Sequence, residues 1–168
     1  KPVDLGVINE LTAAHSELSL VSSTIARFKM YILRSGIEIK ARDSKTYTFD
    51  MGNTNDRVLY EQELYPAIVQ MVHEWLLYGF TCVSVAPSQL VDGALTLVVL
   101  PLEKLTVTMT LNECFQREYD VQLADGTATA IKTKHVIDTA QFLCMTPPDI
   151  DGKPMSSVAL ALPALHQY

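Results

Sequence analysis

Between Tyr65 and Pro101 the chain reads YPAIVQMVHEWLLYGFTCVSVAPSQLVDGALTLVVLP, an apolar helix that meets a glycine and passes at once into two strands. Leu64, Ile68, Met71, Val72, Trp75 and Leu76 recur at spacings of three and four, which sets them along one helical stripe. Gly79 is placed to end this helix, because glycine takes the left-handed C-terminal conformation without a side-chain clash. Phe80 to Val85 follows a strand pattern bounded by Pro87, with Cys82 as core. Val91-Asp92-Gly93 supplies turn chemistry, and Ala94 to Leu100 is an apolar strand closed by Pro101. A helix this apolar is not stable alone in water, so it must pack under the sheet it leads into.

The flanks build on this unit. Asp4 is placed to cap a long helix to about Leu33, with Leu11, Ala14, Leu18, Val21, Ile25, Phe28 and Ile32 on a three-four rhythm. Ser35-Gly36 breaks it before a short strand, Ile37 to Lys40, and Tyr47 with Phe49 suits an edge strand. Asn55 or Asp56 caps the central helix, and Pro66 predicts a kink or a junction at Tyr65. Leu105 to Leu111 alternates strictly. Tyr119 to Leu123 and Thr127 to Ile131 flank Ala124-Asp125-Gly126 as a hairpin. His135 to Ile137 and Phe142 to Met145 are further strands, and Ser156 or Ser157 caps a last helix from Val158 to about Gln167. The order predicts an α+β fold, with long helices packed on a mainly antiparallel sheet. Residues 1–168 then form a single domain: a long helix plus strand over 1–41, a helix and sheet core over 56–145, and the start of a following helix over 155–168. The chain begins Lys1-Pro2 and ends in mid-pattern at Tyr168, which is expected of a piece of a longer protein.

Chemistry-bearing motifs are scarce. The sequence has no GxSxG, glycine-rich phosphate loop, HExxH or paired-cysteine motif, so neither an enzyme nor a metal or cofactor site is expected. Cys82, Cys114 and Cys144 are widely spaced and odd in number, the pattern of reduced thiols in an intracellular protein. His73 and Glu74 are adjacent on the central helix and therefore point to different faces. His15, His135 and His166 read as structural histidines. Asp138, Asp149 and Asp151 lack the spacing and closing glutamate of a calcium loop. No apolar run approaches the roughly 18–20 residues that cross a bilayer.

The order of motifs resembles the wing region of viral portal proteins, of the tailed-phage and herpesvirus lineage. The segments that carry it are Leu77-Tyr78-Gly79-Phe80, Leu100-Pro101-Leu102, Tyr119 with Asp125-Gly126, and Lys134-His135-Val136-Ile137. Asp151 to Val158 is similar to the family's step into the next helix, and Ile25 to Ile39 to its first helix and strand. Each piece is short, and the specificity lies in their order across nearly the whole chain.

The resemblance implies a structural subunit of a ring-shaped portal at a capsid vertex in the virion. Such a ring is a cyclic homo-oligomer that contacts capsid proteins, and double-stranded DNA passes through it without sequence-specific binding. The terminase motor would be met by the stem and clip, parts that either follow this segment or are absent. Another virion or baseplate structural domain is the nearest alternative, and an enzyme part whose site lies elsewhere is the third. Candidate subunit-contact positions are Gly79, Trp75 and Tyr78 on the central unit, and Leu18, Ile25 and Phe28 on the long helix. That helix has more apolar length than one small domain buries.

The formal net charge is -6, and the lysines and arginines are scattered with no continuous basic stripe. Phosphate-gripping proteins need such a stripe, and their affinity falls steeply with salt. Binding to duplex DNA at physiological salt is therefore expected to be weak. Fluorescence anisotropy across a salt series checks this, and tight binding with a steep salt dependence would contradict it.

Overall fold

In the computed structural model, residues 5–37, 39–40, 46–100, 102, 105–111, 113, 117–123, 140–144 and 156–165 are described. Helices and antiparallel strands are mixed in an α+β arrangement. The expected cap Asp4, the hairpin at Asp125-Gly126, the strand at His135 to Ile137, Cys114 and the carboxylates Asp138, Asp149 and Asp151 lie outside those residues.

The N-terminal helix is not continuous. It is α1 (Leu5–Glu17) followed by α2 (Ser19–Leu33), separated at Leu18, whose φ of -100° and ψ of 106° are extended. The Leu18 amide still donates to Ala14 O, and its carbonyl accepts from Val21 and Ser22, so only one residue leaves the helix. Serines crowd the break. The hydroxyls of Ser16, Ser22 and Ser23 each donate to the carbonyl three residues back, the local competition that weakens serine in helix interiors. Past the break Val21 and Ile25 are buried, but Phe28 and Ile32 are exposed. The apolar rhythm therefore predicts the first turns of α2 and fails for its second half. At Gly36, φ is 79° and the amide donates to Leu33 O, which ends α2 at the expected place.

Strands β1 (Ile39–Lys40) and β2 (Thr46–Tyr47) pair antiparallel. The central helical run is capped by Asn53, two residues before the expected cap, through its Oδ1 accepting from the amides of Asn55 and Asp56. It continues through α3 (Thr54–Val58), a π-helical turn (Leu59–Leu64) and α4 (Tyr65–Tyr78). The π turn explains how Pro66 is accommodated. A proline ring clashes with the carbonyl four residues back, and the widened turn, in which Tyr65 N bonds Tyr60 O, relieves that crowding.

The buried residues of α4 are Ala67, Glu74 and Leu77, preceded by Leu64. This face is rotated from the expected stripe: Ile68, Met71, Val72, Trp75 and Leu76 are all half-buried. Gln70, His73 and Glu74 fall at spacings of three and four on the side of Ala67 and Leu77, so the stripe that carries the polar residues is the one that packs inward, against the usual amphipathic pattern. Leu77 joins Leu11 and Ala14 of α1 and Val21 and Ile25 of α2 in one buried cluster. Leu18, Leu76, Tyr78, Val158 and Ala159 pack on its rim. The last two belong to α5 (Ser157–Leu165), capped by Ser156 Oγ accepting from Ala159 N at 3.0 Å.

Gly79 closes α4 with φ 85° and ψ -7°, its amide donating to Trp75 O at 2.8 Å. β3 (Phe80–Pro87) begins at the next residue and is the middle strand of a three-stranded sheet. It pairs with β4 (Leu95–Val99) through Val83 to Pro87 and with β7 (Ala140–Cys144) through Phe80 to Ser84. Phe80, Thr81, Cys82 and Val83 are all buried. Successive strand residues face opposite ways, so both faces are covered at this end.

The connection between β3 and β4 is held by Ser88, whose Oγ accepts from the amides of Leu90 and Val91, and it turns at Gly93 with φ 75°. β5 (Leu105–Leu111) pairs antiparallel with β6 (Arg117–Leu123), setting Val107 opposite Val121 and Met109 opposite Tyr119. The partner expected for Tyr119 to Leu123 at Thr127 to Ile131 lies outside the described residues, among which β6 pairs with β5. Leu105 with Leu123, Val107 with Val121 and Met109 with Tyr119 are matched pairs, and at the far end Leu111 stands opposite Arg117.

Gly79 has a positive φ that an L side chain enters only at about 1–2 kcal/mol. Gly79→Ala should lower stability by at least that amount, whereas Gly52→Ala, at a glycine without positive φ, should cost less. Urea unfolding of the two variants beside the parent chain measures the difference.

Candidate functional site

Two groups of polar side chains are built around α4. The first bridges the Gly79 turn. Glu74 is only 6% exposed, and its Oε2 accepts from Thr81 Oγ1 at 2.7 Å while Oε1 accepts from Gln70 Nε2 at 3.0 Å. One carboxylate thus ties two successive turns of α4 to each other and to the opening of β3. Burial first, and the Glu74 charge second, push the Cys82 thiol up to about 11. Such a thiol is not a nucleophile at neutral pH. The arrangement holds a helix to a strand and offers no open position to a substrate.

The second group lies between α1 and α4. The rings of His15 and His73 meet edge to face with centroids 4.8 Å apart. His73 Nδ1 is buried without a hydrogen-bond partner. Burial above all, then Lys29 from α2 and His15 from α1, lower the His73 pKa to about 4. The ring is therefore neutral at physiological pH, a packing element between helices. As the sequence predicts, His73 and Glu74 face different neighbours. The pairing with His15, 58 positions earlier in the chain by number, had no local signal. Among the described residues no group of three or more His, Cys, Asp or Glu could hold a metal ion. Among them no helix is long and apolar enough to cross a membrane.

The predicted contact positions fall in different places. Gly79 forms the turn, and Trp75 is half-buried on α4 rather than in the core. Tyr78 is half-buried, its hydroxyl 2.9 Å from Thr12 Oγ1 on α1. Leu18 is the break between α1 and α2, and Ile25 lies in the helical core. Phe28 alone of the six is exposed, at 54%.

Phe28 does not stand alone. Leu20 is 66%, Met30 61%, Tyr31 64% and Ile32 41% exposed, all on α2. Leu20, Phe28 and Tyr31 share one face with Arg27, at spacings of seven, eight and eleven residues. Sequence reasoning missed Leu20, Met30 and Tyr31 because it counted only the stripe that continues from α1. The surplus of large apolar residues off that stripe was the available signal. Single exposed apolar side chains are ordinary, and a row of five large ones on one helix is more than scattered exposure accounts for.

Comparison with family models, curated proteins and solved structures finds no match to the chain.

The His73 environment generates a pH dependence. Its folded pKa, about 4, lies below the ordinary 6.5, so between those values the unfolded chain binds more protons. The contribution of this group to stability is complete above pH 6.5 and is lost as pH falls toward 4. His73→Phe keeps a ring, removes the orphaned nitrogen, and should lose less stability than the parent between pH 7.5 and 5.5. Urea midpoints at the two pH values provide the comparison.

Proposed function

We propose that the chain is a structural subunit of a ring-shaped viral portal at a capsid vertex, part of the conduit for double-stranded DNA packaging and release. The observation that carries this reading is the exposed apolar face of α2, built from Leu20, Phe28 and Tyr31 beside Met30 and Ile32. A helix whose first half anchors in its own core and whose second half presents aromatic and aliphatic side chains to solvent suits a subunit buried in an assembly. The polar groups add support by their chemistry. The buried Glu74, the raised Cys82 thiol and the neutral His73 hold elements together instead of opening onto a cleft.

In this reading the helices over the antiparallel sheet form a portal wing-like body whose neighbours are copies of itself and capsid proteins. The terminase motor engages the stem and clip. Duplex DNA passes an acidic wall that does not grip it, consistent with a net charge of -6. The order of the Tyr78-Gly79, Leu100-Pro101 and Asp125-Gly126 segments supports the portal assignment over a baseplate domain.

Electron microscopy and light scattering of the purified chain test this. Closed rings of cyclic symmetry, forming as concentration rises, are expected. A monomer at every concentration, or open filaments, would overturn it.

A further inference from the structure

The apolar face of α2 has a charge as well as a shape. From Ser19 to Gly36 the chain carries Arg27, Lys29 and Arg34 and no carboxylate, although the whole chain is acidic. Arg27 and Arg34 are exposed, and Lys29 is half-buried. This is a basic, aromatic surface on an acidic molecule.

A second surface has the opposite sign. Phe49, Tyr60 and Tyr65 form a line of rings, with centroids 5.2 Å and 6.0 Å apart. Tyr65 is exposed at its edge, and so is Met51 in the neighbouring turn. Between Asp50 and Tyr65 the acids Asp50, Asp56, Glu61 and Glu63 face a single base, Arg57. Asp50, Glu61 and Gln62 are exposed. The π-helical turn is what presents Tyr60, Glu61 and Gln62 here, because it rotates them relative to a regular helix.

We propose that the arginine-bearing apolar face of α2 docks head-to-tail on the acidic aromatic surface around Tyr60 and Tyr65 of a second copy of this chain. The inference rests on the assembly reading above and assigns its two surfaces. Charge complementarity selects the occupant. Arg27 and Arg34, both exposed on a helix that carries no acid, meet a surface where Asp50, Asp56, Glu61 and Glu63 outnumber Arg57, with aromatic and aliphatic anchors within both. Two copies of α2 meeting face to face would oppose like charges. Two different patches on one chain can join head-to-tail, and repetition of that contact closes a ring when the rotation permits.

The test uses two variants altered at exposed positions. Arg27→Glu with Phe28→Asp disables the α2 surface, and Glu61→Arg with Gln62→Arg disables the acidic surface. The single reversals Arg27→Glu and Glu61→Arg form a milder second pair, and circular dichroism confirms that each variant is folded. Each variant alone should be monomeric by mass photometry under conditions where the parent chain assembles. Their mixture should stop at a one-to-one dimer, because one good surface remains on each partner, and combining both single reversals in one chain should restore assembly. If the acidic-surface variant still dimerises alone, or the mixture remains monomeric, the head-to-tail pairing is overturned. If all variants assemble like the parent, these surfaces are wrong while the ring reading stands. A parent chain that never assembles overturns both.

Discussion

The left-handed turn at Gly79, locked by the bond from Thr81 to Glu74, is the constraint on which the rest of the structure depends. On one side of it α4 delivers Leu77 into the cluster shared with α1 and α2. On the other side β3 begins at the very next residue and receives β4 along one edge and β7 along the other. The turn direction therefore fixes where the helical layer lies relative to the sheet. A buried carboxylate is costly unless its oxygens are hydrogen-bonded, and here both oxygens have donors. One of those donors sits beyond the glycine, so the same bond that satisfies Glu74 holds the turn.

Much of this was legible in the sequence wherever local chemistry alone decides the outcome. The ends at Gly36 and Gly79, the Ser156 cap and the strand Leu105–Leu111 are of this kind. The failures share a physical cause. The break at Leu18 hides inside an unbroken apolar rhythm, because Leu18, Val21 and Ile25 reach the core on both sides of it. The rotation of α4 goes against its own polarity, because Glu74 is drawn inward by Gln70 and by Thr81 beyond the turn. The contact of His15 with His73 is a choice between distant segments, to which periodicity is blind.

The candidate site was legible in outline and not in detail. Surplus apolar length at the N-terminus pointed to a covered surface, and Phe28 lies on it. Ile25 and Tyr78, from the same reasoning, hold the chain's own helices together. What redistributes them is again the break at Leu18. By letting α2 leave the direction of α1, it keeps Val21 and Ile25 inside and carries Phe28 and Tyr31 outside. Fold and proposed assembly thus meet in α2, whose inner residues build the core and whose outer residues form the proposed contact surface.

The central claim is that a second copy covers this outer face. Hydroxyl-radical footprinting with mass spectrometry reads it at residue level, comparing dilute chain with concentrated chain. Phe28, Met30 and Tyr31 should be readily oxidised in the dilute sample, as their exposure requires, and Phe28 and Tyr31 should be strongly protected on concentration, while Leu95 in the β-sheet stays unchanged. Equal oxidation of Phe28 and Tyr31 in both samples, with particles demonstrably assembled, would contradict the account.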